Sequence, residues 1–165
     1  PVQLNHGYRA NDKLIDIIKK PIWSGSKPDG GNFDKPATET LIPDIITICQ
    51  REGTHQFIIL DAKYYNIQLD QDKQLRGQPG VGDVTKQYLY QLAYSSFLAD
   101  HRINEVRNCF LMPTEKDGII EKGSVKMDIL SSLGLQDIKI RQLPAKIMYS
   151  YYLSRKTVSI SELNL

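Results

Sequence analysis

The chain has 165 residues, 41% of them hydrophobic and 24% charged, which is enough apolar material for the core of one ordinary domain. Its net charge of +2 argues against nucleic-acid binding by bulk charge alone. Two cysteines, Cys49 and Cys109, and no long apolar run argue against a disulfide framework, a zinc site and a membrane span. We expect a single domain over 1–165 in a reducing cytoplasm. Because the chain begins at Pro1, we expect a fragment of a longer protein, with removal of the initiator Met as the alternative.

The first part of the chain combines a short helical pattern with a long polar stretch. Apolar residues recur at helical spacing over 11–20, where Asn11 or Asp12 can cap the helix and Pro21 ends it. Residues 22–38 are rich in Gly, Pro, Ser and Asp, which predicts a long loop.

Two apolar, β-branched runs follow at 41–49 and 57–65, and each is typical of a strand buried on both faces. A polar turn at 51–54 separates them. So short a connection predicts an antiparallel hairpin.

The rest of the chain alternates helical and strand patterns. A long amphipathic helix capped by Asp83 is predicted over 83–100. Strands are predicted over 105–112, 119–129 and 137–143. We expect Pro113 to end the first of these strands and Pro144 to begin a closing helix. Its tyrosines could form an interface, but we assign them to the core. This order predicts an α/β domain built in layers.

Charged residues interrupt both buried strands. Asp44 follows Pro43 in the first strand, and Asp61 and Lys63 end the second. An ionised carboxylate is costly to bury unless it is paired or binds a metal. Asp61 and Lys63 leave the same face of a strand, and the hairpin can bring Asp44 beside them. Two carboxylates and the Ala62 carbonyl suit Mg²⁺, with Mn²⁺ as a substitute, and Lys63 would then orient or activate a water or stabilise charge on a phosphate.

This arrangement resembles the PD-(D/E)xK nuclease superfamily, whose pattern is Pro-Asp, a gap, then Asp or Glu, any residue, and Lys. The chain also contains a second Pro-Asp, at Asp29, and a second Asp-x-Lys, at 137–139. Asp29 lies in a Gly-rich stretch, and Asp137 opens an alternating strand where a solvated charge is expected. Only Asp44 and 61–63 lie in strongly apolar runs. A structural buried ion pair is the alternative interpretation.

The helix that follows the Lys63 strand carries polar residues at helical spacing. Gln87, Tyr90 and Tyr94 share one face. Similar helices in the superfamily place a Gln near the metal-water network or the DNA backbone, and this resemblance implies that role for Gln87, with Lys86 as a possible phosphate contact. The alternatives are core tyrosines, which we favour, and a solvated Gln87.

A closer resemblance, over roughly residues 21–94, is to the LlaJI family of restriction endonucleases. The residues that carry it are 21–23 (PIW), 40–46 (TLIPDII), 60–65 (LDAKYY) and 80–87 (GVGDVTKQ). The resemblance implies a restriction-endonuclease-like α/β fold, a central mixed β-sheet flanked by helices. It also implies Mg²⁺-dependent cleavage of double-stranded DNA in the bacterial cytoplasm. Family members carry a separate DNA-recognition domain, which we expect outside this chain, and cutting both strands suggests a homodimer on DNA. McrC-type restriction subunits share the general pattern.

An additional acidic residue often completes the metal site in this superfamily. Glu39 is one candidate, although five positions separate it from Asp44 and an odd separation in a continuous strand places two residues on opposite faces. Asp12 and Asp16 are the others, and solvation is the alternative for both.

The first hypothesis is therefore a metal-dependent endonuclease in which Asp44 and Asp61 bind Mg²⁺ and Lys63 and Gln87 support catalysis. A DNA-repair or recombination nuclease of the same fold is the nearer alternative. A non-catalytic DNA-binding or assembly module with a relic ion pair is the alternative from another class.

Overall fold

The computed structural model describes residues 13–69, 71 and 74–165. The predicted caps Asn11 and Asp12 lie outside the described residues. The strands are β1 (Ile22–Ser26), β2 (Asn32–Pro36), β3 (Ile45–Arg51), β4 (Thr54–Ala62), β5 (Glu105–Thr114), β6 (Ile120–Val125) and β7 (Ile138–Pro144). The α-helices are α1 (Val81–Ala93), α2 (Ser95–Asp100) and α3 (Ala145–Ser154), and short 3₁₀ helices form at Leu14–Ile17, Asp128–Leu133 and Ile160–Leu163.

The main sheet has five strands in the order β3-β4-β5-β7-β6. The three central strands, β4, β5 and β7, are parallel, and the edge strands β3 and β6 pair antiparallel to their neighbours. On one face, Tyr90, Tyr94 and Phe97 of the helices α1 and α2 pack in a core with Phe57 and Ile59 of β4. The predicted α/β fold, with a central mixed sheet flanked by helices, is confirmed, as are the antiparallel hairpin and the core tyrosines. No helix of the described residues is long and apolar enough to cross a membrane.

Residues 22–38 do not form the predicted long loop. The strands β1 and β2 pair antiparallel, with Trp23 opposite Lys35, and make a separate two-stranded sheet, which we call the β1–β2 ribbon. The backbone turns at Gly30, whose φ of 86° favours glycine. No residue of the two strands is buried. The apolar patterning used to predict strands therefore had nothing to detect, and backbone pairing alone defines the ribbon.

The first main strand is shorter and more exposed than predicted. β3 begins at Ile45 rather than at residue 41, because Pro43 lacks an N–H to donate to the neighbouring strand. As an edge strand it has no fully buried residue. β4 is the buried member of the pair: Phe57, Ile58 and Ile59 are 0% exposed.

Other boundaries also differ from prediction, among them that of the second main strand, which runs over Thr54–Ala62 rather than 57–65. α1 begins at Val81, two residues before Asp83, and the predicted long helix divides at Tyr94 into α1 and α2. The predicted first helix is reduced to the 3₁₀ turn Leu14–Ile17. β5 continues through Pro113. The proline is tolerated because the pairing of β5 with β4 ends at Leu111, so beyond that residue the β4 side of β5 has no neighbouring strand to receive an N–H.

The closing helix α3 is not part of the core, contrary to prediction. None of its residues is buried, and Tyr149 and Tyr152 are 71% and 79% exposed. The sheet face opposite α1 is covered instead by the C-terminal residues, where buried Leu163 packs with Ile58 and Leu60. The C-terminal segment therefore takes the core position that was predicted for the tyrosines of α3.

Candidate active site

Predicted catalytic residues meet at the C-terminal end of β4. Ile45 pairs with Leu60, so Asp44, one residue before β3, lies opposite Asp61. The Oδ2 atom of Asp44 accepts a hydrogen bond from the N–H of Ala62 at 2.8 Å. The hairpin therefore brings the two carboxylates to the same edge of the sheet, as the sequence predicted.

Lys63 lies between two carboxylates at this edge. Its Nζ atom is 2.6 Å from Oδ2 of Asp61 and 3.0 Å from Oδ1 of Asp83, in the first turn of α1. The Oδ2 atom of Asp83 accepts hydrogen bonds from the hydroxyl of Tyr65 at 3.1 Å and from the N–H of Gly80 at 3.2 Å. The start of the helix is thus attached to the end of β4 through Lys63 and Tyr65.

These contacts set the protonation states of the site. Burial raises the pKa of Asp61 above its usual value, and the neighbouring charge of Asp44 adds to that, while Lys63 and Lys86 act in the opposite direction. Burial favours the neutral form of Lys63, but the hydrogen bonds to Asp61 and Asp83 prevail and raise its pKa well above the usual range. Lys63 is therefore an ammonium at physiological pH, able to donate hydrogen bonds but not to accept a proton.

A tyrosine of α1 holds the segment that precedes Asp44. The buried Tyr90 donates a hydrogen bond from its hydroxyl to the Ile42 carbonyl at 2.8 Å. The exposed Lys86 has its Nζ atom 5.7 Å from the centroid of the Tyr90 ring. Its charge also favours the charged form of Asp61. Lys86 thus stands at the rim of the site, and its contact with phosphate remains a prediction.

The donor atoms at this edge fit a hard divalent cation. The contacts of Asp44 and Asp61 with other described residues run through Oδ2, which leaves Oδ1 of each carboxylate as a potential ligand. The Lys63 N–H points to the Leu111 carbonyl at 2.8 Å, so the Ala62 carbonyl, on the other side of that trans peptide, faces the side where Asp44 lies. Among the described residues no group of three or more His, Cys, Asp or Glu side chains could hold a metal. Mg²⁺ is commonly held by only one or two carboxylates, with waters and phosphate completing its shell.

Gln87 is placed beneath this edge. Its Nε2 atom donates to Oδ1 of Asn108 at 2.6 Å and lies 3.4 Å from the Ile59 carbonyl, and the side chain is buried. Its Oε1 atom has no hydrogen-bond partner among the described residues. No described contact joins Gln87 to Asp44 or Asp61, and burial separates it from DNA. A catalytic role for Gln87 therefore stays a prediction.

The candidates for an additional acidic ligand are not brought to the cluster. Glu39 is exposed and lines a groove of about 810 Å³ between the 3₁₀ turn Leu14–Ile17, α1 and α2. Asp16, on that turn, is exposed as well. Neither has a described contact with Asp44 or Asp61, and Asp12 lies outside the described residues.

The sequence pattern predicted Asp83 as a helix cap but did not indicate its contact with Lys63. Asp83 is the third residue of α1, where it accepts the Gly80 N–H in a capping box, and it is also the second carboxylate on Lys63. Tyr65, its hydrogen-bond donor, was given no role. The available signal was that both residues fall within the segments that carry the family resemblance.

Comparison with known proteins identifies the family of the chain. The family model for the LlaJI restriction endonuclease matches residues 10–153. The chain belongs to the LlaJI restriction endonuclease family. Membership confirms the predicted family. The match begins before the β1–β2 ribbon and ends within α3, so it covers both the ribbon and the cluster around Lys63.

The chain is also similar to a curated protein. The chain is 36% identical over 154 residues to the type II restriction enzyme BsuMI component YdjA of Bacillus subtilis (strain 168). The aligned region covers 92% of this chain and 31% of that relative, so the chain spans about a third of the relative's length. No solved structure matches the chain.

Proposed function

We propose that the chain is the cleavage module of a type II-like restriction endonuclease, which hydrolyses phosphodiester bonds of double-stranded DNA with Mg²⁺. The observation that carries the proposal is the convergence of Asp44, Asp61 and Lys63 at the C-terminal end of β4. Membership of the LlaJI family supports it. The YdjA relative is named as a component of an enzyme, which supports a separate DNA-recognition part outside this chain.

In this proposal each residue of the edge has one task. Asp44, Asp61 and the Ala62 carbonyl hold the cation, which when bound lowers the pKa of a water and offsets charge on the phosphate. Lys63, fixed between Asp61 and Asp83, donates hydrogen bonds to the attacking water or to a phosphate oxygen. Because it is protonated, Lys63 positions the water and stabilises charge but does not act as the base.

Burial of Asp61 gives the site its need for a cation. Asp61 is 4% exposed and lies next to Asp44. Burial and the charge of Asp44 both raise the pKa of Asp61 and so favour its neutral form. A divalent cation between the two carboxylates would relieve both the burial and the repulsion. Lys63 pairs with Asp61 and Asp83 and supplies one positive charge to this group of carboxylates, while Lys86 acts on Asp61 only from the rim.

The test is cleavage of supercoiled plasmid DNA by the wild-type chain and by Asp44→Asn. We expect nicked or linear product with Mg²⁺, none with EDTA, and a loss of at least about 100-fold in rate for Asp44→Asn. Asp128→Asn, which removes an exposed carboxylate outside both the cluster around Lys63 and the β1–β2 ribbon, is the matched control and should cleave like the wild type.

Two results would contradict the proposal. One is cleavage that continues undiminished in EDTA, which would remove the metal from the mechanism. The other is a folded wild-type chain that binds DNA but never cuts it with Mg²⁺ or Mn²⁺, which is the behaviour of a non-catalytic module.

A further inference from the structure

We infer that the β1–β2 ribbon is a DNA-contacting element, whose aromatic and lysine-bearing face lies against the duplex. The inference rests on the proposed function for the identity of the nucleic acid. A two-stranded ribbon is marginally stable on its own in water, and no residue of these strands is buried in the chain. The major groove of B-DNA, about 12 Å wide, admits an element of this shape.

The two faces of the ribbon differ in chemistry. In the observed register, Trp23 pairs with Lys35 and Gly25 with Phe33, and these pairs share one face. The Phe33 ring lies over Gly25, where a Cβ atom would come within 2.7 Å of it. Trp23 and Phe33 are 71% and 44% exposed, so this face presents two aromatic rings to solvent. Lys27, which closes the turn by donating its N–H to the Gly31 carbonyl at 2.6 Å, continues the same face.

The opposite face carries the pair of Ile22 and Pro36 at its base and is otherwise polar, with hydrogen bonds within itself. The Ser24 hydroxyl donates to Oδ1 of Asp34 at 2.6 Å, and the Ser26 hydroxyl lies 3.5 Å from Oδ1 of Asn32. Asp34 is thus kept on the polar side, whereas Asp29 accepts the Gly31 N–H at the tip of the turn, close to the side chain of Lys27.

Charge on the aromatic face selects a polyanion as its partner. The face carries the cation Lys35 within the register, where no acidic residue shares the face, and the cation Lys27 beside the turn, where the Asp29 carboxylate lies near it. Lysines contact phosphates, and exposed aromatic rings stack on bases or pack against sugars. Charge complementarity of this kind favours DNA over an apolar protein surface.

The position of the ribbon suits the same substrate as the cluster around Lys63. Its base is closed by the Ala37 N–H, which donates to the Pro21 carbonyl at 2.7 Å. Asp44 follows Ala37 by seven positions, so the Cα atoms of the two residues lie at most about 25 Å apart. That distance is shorter than one turn of B-DNA, about 34 Å, so one duplex can reach both.

Trp23 makes the inference directly testable because it is the single tryptophan of the chain. A duplex oligonucleotide carrying a dye is titrated with the full chain in EDTA, which prevents cleavage. Tryptophan emission, its quenching by acrylamide, and the anisotropy of the dye are recorded together. We expect Trp23 emission to change on binding and acrylamide quenching to fall over the same concentrations as the anisotropy rises.

Two variants separate the ribbon from other surfaces. Lys27→Gln/Lys35→Gln should weaken binding and make the slope of log affinity against log salt shallower by roughly 2. Trp23→Ala, followed by anisotropy, should weaken binding roughly 5- to 100-fold. The control Arg51→Gln/Arg102→Gln removes two exposed cations near the ends of the sheet where β4 and β5 begin, away from the cluster around Lys63. This control should bind like the wild type. An unchanged emission maximum without DNA shows that the ribbon of the lysine variant is intact.

Several results would overturn the inference. Binding by anisotropy with unchanged Trp23 emission would place the ribbon outside the interface, and equal losses in the lysine variant and the arginine control would show only a general charge effect. A Trp23 signal that depends on protein concentration without DNA would show that a second copy covers the face. The proposed function fails separately: a chain that binds through the ribbon but never cleaves with Mg²⁺ keeps the inference and loses the nuclease.

Discussion

The pattern Asp-x-Lys occurs twice in this chain, and the structure treats the two copies differently. Asp61 is buried and pairs with Lys63 at 2.6 Å. Asp137 is exposed, Lys139 is half-buried, and no ion pair joins them among the described residues. The copies also lie at opposite ends of parallel strands, since the first ends β4 and the second begins at the residue before β7.

The difference shows that the placement of the pattern, rather than its letters, makes the site. The carboxyl ends of parallel strands form the edge where ligands bind in α/β sheets. At that edge the first copy meets Asp44 from β3 and Asp83 from α1. The second copy lies at the amino end of β7. Among the described residues, no carboxylate lies within ion-pair distance of its lysine, Lys139.

The largest effect is expected from removing the lysine of each copy. Lys63→Met should lower the rate of Mg²⁺-dependent plasmid cleavage by at least about 100-fold, because the charge-stabilising hydrogen-bond donor is lost. Lys139→Met, the matched control, should stay within about twofold of the wild type. Single-turnover cleavage with excess enzyme measures the chemical step in both. Equal losses in the two variants would remove the distinction between the copies.

A smaller effect is expected at Asp83, which only the first copy contacts. Asp83→Asn should lower cleavage roughly 10-fold, because Lys63 loses one of the two carboxylates that position it. Asp128→Asn, which breaks the exposed pair between Lys126 and Asp128, is the control and should leave cleavage unchanged. Wild-type cleavage by Asp83→Asn would show that Asp61 alone positions Lys63.

The same residue predicts how stability depends on pH. Hydrogen bonds from Lys63 and Tyr65 outweigh the effect of burial and lower the pKa of Asp83 below its ordinary value of 3.8. Its contribution to the free energy of unfolding is therefore present above pH 3.8 and is lost as pH falls through the lowered pKa. Asp83→Asn should be less stable than the wild type at pH 7 by roughly 0.5–1 kcal/mol, and urea unfolding should show this difference shrinking in acid. A difference that grows in acid would reverse the sign of this contribution.

The last prediction concerns the reactivity of a thiol and has no effect on cleavage. Cys109 lies on β5, the strand between the two copies. Cys109 pairs with Leu60 on one side and with Lys139 on the other. Burial raises the pKa of its thiol to about 12, so it should resist thiol reagents in the folded chain, while the half-buried Cys49 reacts. Titration with Ellman's reagent should count one thiol before unfolding and two after. Rapid reaction of both thiols in the folded chain would show that Cys109 is accessible to solvent, contrary to its buried position in the sheet.

The central sheet was predictable because its strands bury apolar side chains, as β4 does with Phe57 and Ile59. The site was predictable for a related reason, since Asp44 and Asp61 are charges within apolar runs. The β1–β2 ribbon was not, because backbone pairing rather than burial defines it.

The errors at the helices have a tertiary cause. The helical pattern of α3 gave the same signal as a core helix, but Leu163 and its neighbours cover that face of the sheet. Asp is a residue type that commonly begins a helix, and Asp83 was predicted in that role. Its contact with Lys63 depends on how α1 approaches β4. Neither fact can be derived from local spacing.

The most direct test of the account compares the two copies at their first residue. Plasmid cleavage with Mg²⁺ is measured for the wild type, Asp61→Asn and Asp137→Asn, with far-UV circular dichroism to show that all three are folded. The account predicts that Asp61→Asn loses cleavage while Asp137→Asn retains it. Retained cleavage in folded Asp61→Asn, or its loss in folded Asp137→Asn, would contradict the placement of the active site at the end of β4.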